Sequence, residues 1–225
     1  MFSKLKELFM SDSLLDEAYE TTVRMLEFDH TMFKDSCDSL RRSDSAELPY
    51  DFKEADRRIN KFEREVRRKV LTHLTIAGNQ NLVPGLTLVT IVIDVERIGD
   101  FTKNIAGLAT ARDQKLDAGS YEKDLQEIES LIGEQFPSVI DVLRERDSKS
   151  ASSILVDEHP TAKRVETVLN GMMASEDDGM PKREAVRLAL YARYLKRINA
   201  HLTNIASSVV NPFPRIGFRQ KKPRS

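Results

Sequence analysis

Along most of the chain, apolar residues return at intervals of three, four and seven, the period of helices that bury one face. Leu14, Leu15, Ala18, Met25, Phe28, Met32 and Phe33 mark a first long helix, which Asp12 or Ser13 can cap and which runs to about Arg42. Ser43 to Pro49 is a polar turn ending in proline. Ile59, Phe62, Val66, Val70 and Leu74 line a second, highly charged helix over about 51–76, which Gly78-Asn-Gln-Asn81 breaks. Pro84 suits the first turn of a third helix, over about 82–112. After a linker from Gln114 to Gly119 comes a fourth, over about 121–147, with Leu125, Ile128, Leu131, Ile132, Val139 and Val142 inward and a kink expected at Pro137. A fifth, over about 150–174, is expected to be interrupted at Pro160. The loop Glu176 to Met180 leads to Pro181, which opens a sixth helix ending near Val210.

One stretch conflicts with this at first sight. Leu88 to Ile93 is dense in β-branched residues and by itself suits a strand. Two features favour helix. Val92, Val95, Ile98, Ile105 and Leu108 fall mostly at helical spacings, and the pattern returns 100 residues later among strong helix formers. At that offset Leu88, Arg97, Ile98, Asn104, Ile105 and Ala106 recur as Leu188, Arg197, Ile198, Asn204, Ile205 and Ala206. The chain therefore reads as two copies of one helical unit. The expected fold is all-α, two tandem three-helix bundles packed as one six-helix body. The first unit covers residues 1–112, the second 113–211, and 212–225 form a basic tail expected to be disordered.

Composition agrees with long solvated helices: 40% hydrophobic, 32% charged, nine glycines, eight prolines and no tryptophan. A net charge of −1 supplies no global field for nucleic acid. The single cysteine, Cys37, cannot form an intrachain disulfide, which suits a reducing cytosol. No apolar run is long enough to span a bilayer, and Met1 to Met10 lacks a secretory core. Two roles are open to that segment: peripheral membrane contact through Phe2, Leu5, Leu8 and Phe9, or a lead-in to the first helix. The tail's Arg215, Arg219, Lys221, Lys222 and Arg224 likewise suit either an anionic surface or solvent.

Candidate chemistry concentrates on the second and third helices. Glu96 and Asp100 are four apart, hence about 40° apart on one helical face. Like charges so placed cost a few tenths of a kcal/mol unless a cation lies between them. Asp56, Asn60 and Glu63 share a face of the second helix and can converge on the same place. A divalent metal ion would be one such cation, since carboxylate oxygens ligate it readily. Salt bridges are the ordinary alternative, because Arg97 lies three residues before Asp100 and arginines crowd the second helix. Glu27-Phe-Asp-His30 has the E-x-x-H spacing of di-iron bundles, but the chain lacks the second copy such a site needs. His73, His159 and His201 show no ligand spacing, and no catalytic motif is present, so an enzyme is not expected. Asn104 and Asn204, recurring inside helices, point to an interhelical hydrogen bond or to a place beside the metal.

The run Glu96-Arg-Ile-Gly-Asp-Phe-Thr-Lys-Asn-Ile-Ala106 resembles the signature of the PhoU family of bacterial and archaeal phosphate-uptake regulators. The second copy resembles that family's second-repeat signature without its acidic residues, and the likeness covers roughly Asp12 to Val210. It implies a cytoplasmic adaptor, commonly a homodimer, linking phosphate transporter components to a sensor histidine kinase or damping uptake. It also implies iron or zinc held by E(D)xxxD motifs, other divalent metals remaining open. Glu96-xxx-Asp100 matches that motif, whereas Asp56-xxx-Asn60 matches at one end only. Lys196 and Ala200 stand where Glu96 and Asp100 stood, and Asp157, Glu158 and Glu166 lack matching partners, so at most one metal site is expected. A metalloprotein with no phosphate role and a purely structural helical scaffold are the competing functions.

Overall fold

Asp51 caps the second long helix of the chain. Its carboxylate accepts hydrogen bonds from the amides of Lys53 (2.8 Å) and Glu54 (3.3 Å), satisfying donors that the first turn leaves free. The computed structural model describes the backbone of residues 2–45, 47–79, 81–112, 114–174 and 179–218, and the side chains of all of these except 2–13 and 157–159. Six long helices make up the body: α1 (Phe2–Arg42), α2 (Phe52–Ala77), α3 (Leu82–Thr110), α4 (Glu122–Glu145), α5 (Ser148–Ala174) and α6 (Lys182–Val210). Short 3₁₀ turns at Gly119–Tyr121 and Phe213–Arg215 complete it, and no strand occurs among the described residues.

The β-branched stretch is helical, as its spacing requires. Ile91, Val92, Val95, Ile98 and Ile105 of α3 are all buried, so packing outweighs their modest helix propensity. Two expectations need correction. α1 begins at Phe2 rather than at Asp12 or Ser13. Neither glycine nor proline interrupts residues 2–13, so the helix runs through both would-be caps. α5 is continuous through Pro160 rather than interrupted there. The carbonyl that proline leaves unbonded belongs to Val156, itself 72% exposed, so water can satisfy it. Pro137 likewise lies inside α4, which continues to Glu145. The side chains of Phe2, Leu5, Leu8, Phe9, Asp157, Glu158 and His159, and tail residues 219–225, lie outside the described residues.

Each repeat is an up-down-up bundle, α1 to α3 and then α4 to α6. The two join chiefly through α3 and α6, which cross antiparallel: Asp94 meets His201 and Asn204, while the carbonyl of Ala111 accepts from Arg187. α1 also packs on α4, where Phe136 lies under His30 (centroids 4.9 Å apart) and Phe33 (5.1 Å). Arg41, nearly fully buried, crosses the same seam to Glu129 (2.8 Å), Glu122 (2.7 Å) and the carbonyl of Leu116 (2.5 Å). The buried apolar residues of both repeats thus form one continuous core.

Candidate functional site

Gly99, the glycine of the recurrent motif, brings α2 and α3 together. A Cβ there would lie 2.5 Å from Ile59 Cδ1 and 3.0 Å from Asp29 Oδ1, so only glycine admits this approach without displacement. Along α3, Glu96 lies about one turn before Gly99 and Asp100 directly after it. Burial and the adjacent Asp100 raise the Glu96 pKa, with Glu63 adding to the effect. Glu63, Glu96 and Asp100 therefore lie close enough to feel one another, although they come from two helices.

Much of that repulsion is met by the chain's own cations. Lys103 Nζ donates to Asp56 Oδ1 (2.5 Å) on α2 and to Asp100 Oδ1 (3.0 Å). Burial works against its charge, but these two hydrogen bonds outweigh it and hold the ammonium above its ordinary pKa. Arg97 reaches Asp100 (3.2 Å) and Glu96 (3.5 Å), and Arg67 reaches Glu63 (2.8 Å). Asn60 is turned to its own helix, donating to the carbonyl of Asp56 (3.0 Å).

Beneath this layer lies Asp29 of α1, fully buried, with neither carboxylate oxygen hydrogen-bonded. Burial, then the charges of Glu96 and Asp100, push its pKa well above the usual carboxylate range. The E-x-x-H spacing draws attention to Glu27 and His30 and away from this residue. In the fold Glu27 pairs with Arg144 and His30 stacks on Phe136, so those two do not form a site. The available signal for Asp29 was a carboxylate set in the buried stripe of Met25, Met32 and Ser36. Lys103 was equally legible as a cation three residues beyond Asp100.

A hard divalent ion is compatible with these donors. Asp29 offers two buried oxygens without partners, Glu96 and Asp100 supply carboxylates near it, and Glu63 lies near Glu96. As placed, no three His, Cys, Asp or Glu side chains among the described residues are grouped so that they could hold a metal ion, so binding requires these carboxylates to draw together. An ion would take the place of Lys103 and Arg97, whose side chains are 31% and 53% exposed and can turn to solvent.

The second copy is built differently. Lys196, where the first copy has Glu96, donates to Glu166 of α5 (2.5 Å). This lysine places an ammonium, which has no lone pair for a metal, against the α5 carboxylate. Asn204 makes an interhelical hydrogen bond to Asp94 Oδ1 (3.0 Å), which also accepts from His201 Nδ1 (2.7 Å). Arg197 lies 3.1 Å from His201 Nε2, and Phe101 stacks on the imidazole. Asn104 is exposed. Its counterpart acceptor would be residue 194, and Tyr194 stands where the first copy has Asp94.

The PhoU domain matches residues 22–109 and 125–209, one match per repeat. PhoU from Pseudomonas aeruginosa superposes with a TM-score of 0.79 at 20% identity, over 88% of this chain and 96% of that one. The phosphate transport system regulatory protein PhoU from Streptococcus pneumoniae gives 0.77 at 14% identity, over 88% and 94%. No curated protein sequence matches the chain.

Proposed function

Because the chain belongs to the PhoU domain family, we propose that it regulates phosphate transport as a cytoplasmic adaptor between phosphate transporter components and a signalling partner such as a sensor histidine kinase. The observation that carries this is the match of a PhoU domain to both repeats, together with superposition of the whole body on two PhoU structures. The long solvated faces of six helices give such a protein room to hold partners, and a second copy of the chain is one of them. Among the described residues no helix is long and apolar enough to cross a membrane, so contact with a transporter would be made from the membrane surface.

A divalent cation, iron or zinc by family resemblance, would be held by Asp29, Glu63, Glu96 and Asp100. When bound it would supply positive charge between the carboxylates of α1, α2 and α3. The protein's own contribution is to hold four carboxylates around the close contact at Gly99 and to shield them beneath Arg97 and Lys103. The role is regulatory rather than catalytic.

The direct test is co-purification of the tagged chain, at native expression level, with the phosphate transporter and kinase of the source organism. Enrichment of either over a tagged variant carrying surface charge reversals supports the adaptor. Recovery of neither, with full metal loading of the purified chain, would favour a metalloprotein without a phosphate role. Recovery of neither from a metal-free chain would favour a structural scaffold.

A further inference from the structure

The chain as a whole is almost neutral, yet α2 carries eight basic residues against four acidic ones. The acidic ones are largely occupied: Asp56 meets Lys103, Glu63 meets Arg67 and Glu65 meets Lys69. Arg58 lies over the rings of Phe28 and Phe62, and Lys53, Arg57, Lys61, Arg64 and Arg68 remain, all exposed, none forming an ion pair among the described residues. Their spacings of four, four, three and four place them within an arc of about 80°, in a row about 22 Å long. At the end of the row stands Leu71, 69% exposed, followed by Ile76 at the α2–α3 turn.

We propose that this row is a docking surface for an acidic α-helix of a partner protein, laid along α2 with an apolar side chain against Leu71. The proposal rests on the adaptor function and names the surface that carries it. A helix presenting carboxylates at the same three- and four-residue intervals would meet each cation in turn, and Leu71 would set its register. The row is one residue wide and is bordered by Glu54 and Glu65. A bilayer or a nucleic acid would press its phosphates on those carboxylates as well, and the chain's net charge gives no long-range field to draw either in. An acidic helix can avoid both.

The full chain would be compared with an Arg57→Gln/Lys61→Gln/Arg64→Gln/Arg68→Gln variant by fluorescence anisotropy. The probes are a labelled helical peptide with glutamates at i, i+4, i+8 and i+11, the same peptide scrambled, phosphatidylglycerol vesicles and duplex DNA. All four positions are exposed, so the variant should fold, as its helical circular dichroism will verify. The patterned peptide should bind the native chain at least tenfold more tightly than the variant, more weakly as salt rises, and several-fold more tightly than the scrambled peptide. Equal binding of the scrambled peptide would overturn the proposal, as would tighter stripe-dependent binding of vesicles or DNA. Phosphate uptake separates the two levels. If deletion of the chain alters uptake and the variant restores it fully, the docking surface is wrong and the adaptor stands. If deletion leaves uptake unchanged, the adaptor itself fails.

Discussion

Replacing Gly99 by alanine sets two known effects against each other. Alanine inside a helix is favoured over glycine by about 0.5–1 kcal/mol. Here the added methyl would meet Ile59 Cδ1 at 2.5 Å and Asp29 Oδ1 at 3.0 Å, and both side chains are buried with little room to retreat. Overpacking of that kind costs about 1–3 kcal/mol, so Gly99→Ala should lose roughly 1–2 kcal/mol net. Gly133 of α4 is the internal control, because a Cβ there meets nothing within 4 Å and Gly133→Ala should gain about 0.5–1 kcal/mol. Ile59→Val removes the clashing Cδ1 at its own cost of about 0.5–1.5 kcal/mol. Gly99→Ala/Ile59→Val should then be more stable than additivity predicts by about 1 kcal/mol. Urea unfolding followed by helical circular dichroism measures all four proteins. Gly99→Ala as stabilising as Gly133→Ala, or an additive double variant, would refute the claim that this glycine sets the α2–α3 approach.

Lys103→Met should tighten Mn²⁺ or Zn²⁺ binding at least tenfold in calorimetric titration, because the ammonium repels the ion and competes for Asp100, and Glu96→Ala/Asp100→Ala should abolish it. Stoichiometry should not exceed one site per chain; two, or an unchanged affinity in Lys103→Met, would contradict the assignment. Asp29→Asn tests the buried carboxyl in metal-free buffer. Folded Asp29 keeps a proton that the unfolded chain releases, so native stability should fall relative to Asp29→Asn above the ordinary carboxylate pKa, by about 1.4 kcal/mol per pH unit until Asp29 ionises in the fold. Parallel pH–stability curves would contradict it. Arg41→Ala leaves the buried charge of Glu129 with only the Tyr191 hydroxyl and the carbonyl of Leu116 without its guanidinium, and should cost about 3 kcal/mol in urea unfolding. A loss under about 1 kcal/mol would show that the seam holds without it.

Helix content and internal duplication were legible in the sequence because both rest on period. A 3.6-residue spacing survives even where β-branched residues crowd, as from Leu88 to Ile93, and an offset of 100 carries six identities into α6. Proline misled at position 160, since whether a lost hydrogen bond ends a helix depends on which side of the helix faces water. The motif located Glu96 and Asp100, and the spacing of Arg97 exposed its pairing with Asp100, but neither could show that Lys103 also reaches Asp56, which is a property of how α2 and α3 pack. Asp29 was hidden for the same reason. Its carboxylate matters only because α1 carries it behind Gly99. The unequal Asn104 and Asn204 followed from a residue on the opposite copy, where Asp94 can accept a hydrogen bond and Tyr194 stands in its place.

Regulation of phosphate transport is tested most directly by radiolabelled phosphate uptake in cells of the source organism, grown in phosphate-rich medium with and without this chain. Cells lacking the chain should fail to restrain uptake, and the native chain supplied in trans should bring the rate back. Identical uptake with and without the chain, in both rich and limiting phosphate, would contradict the proposed function.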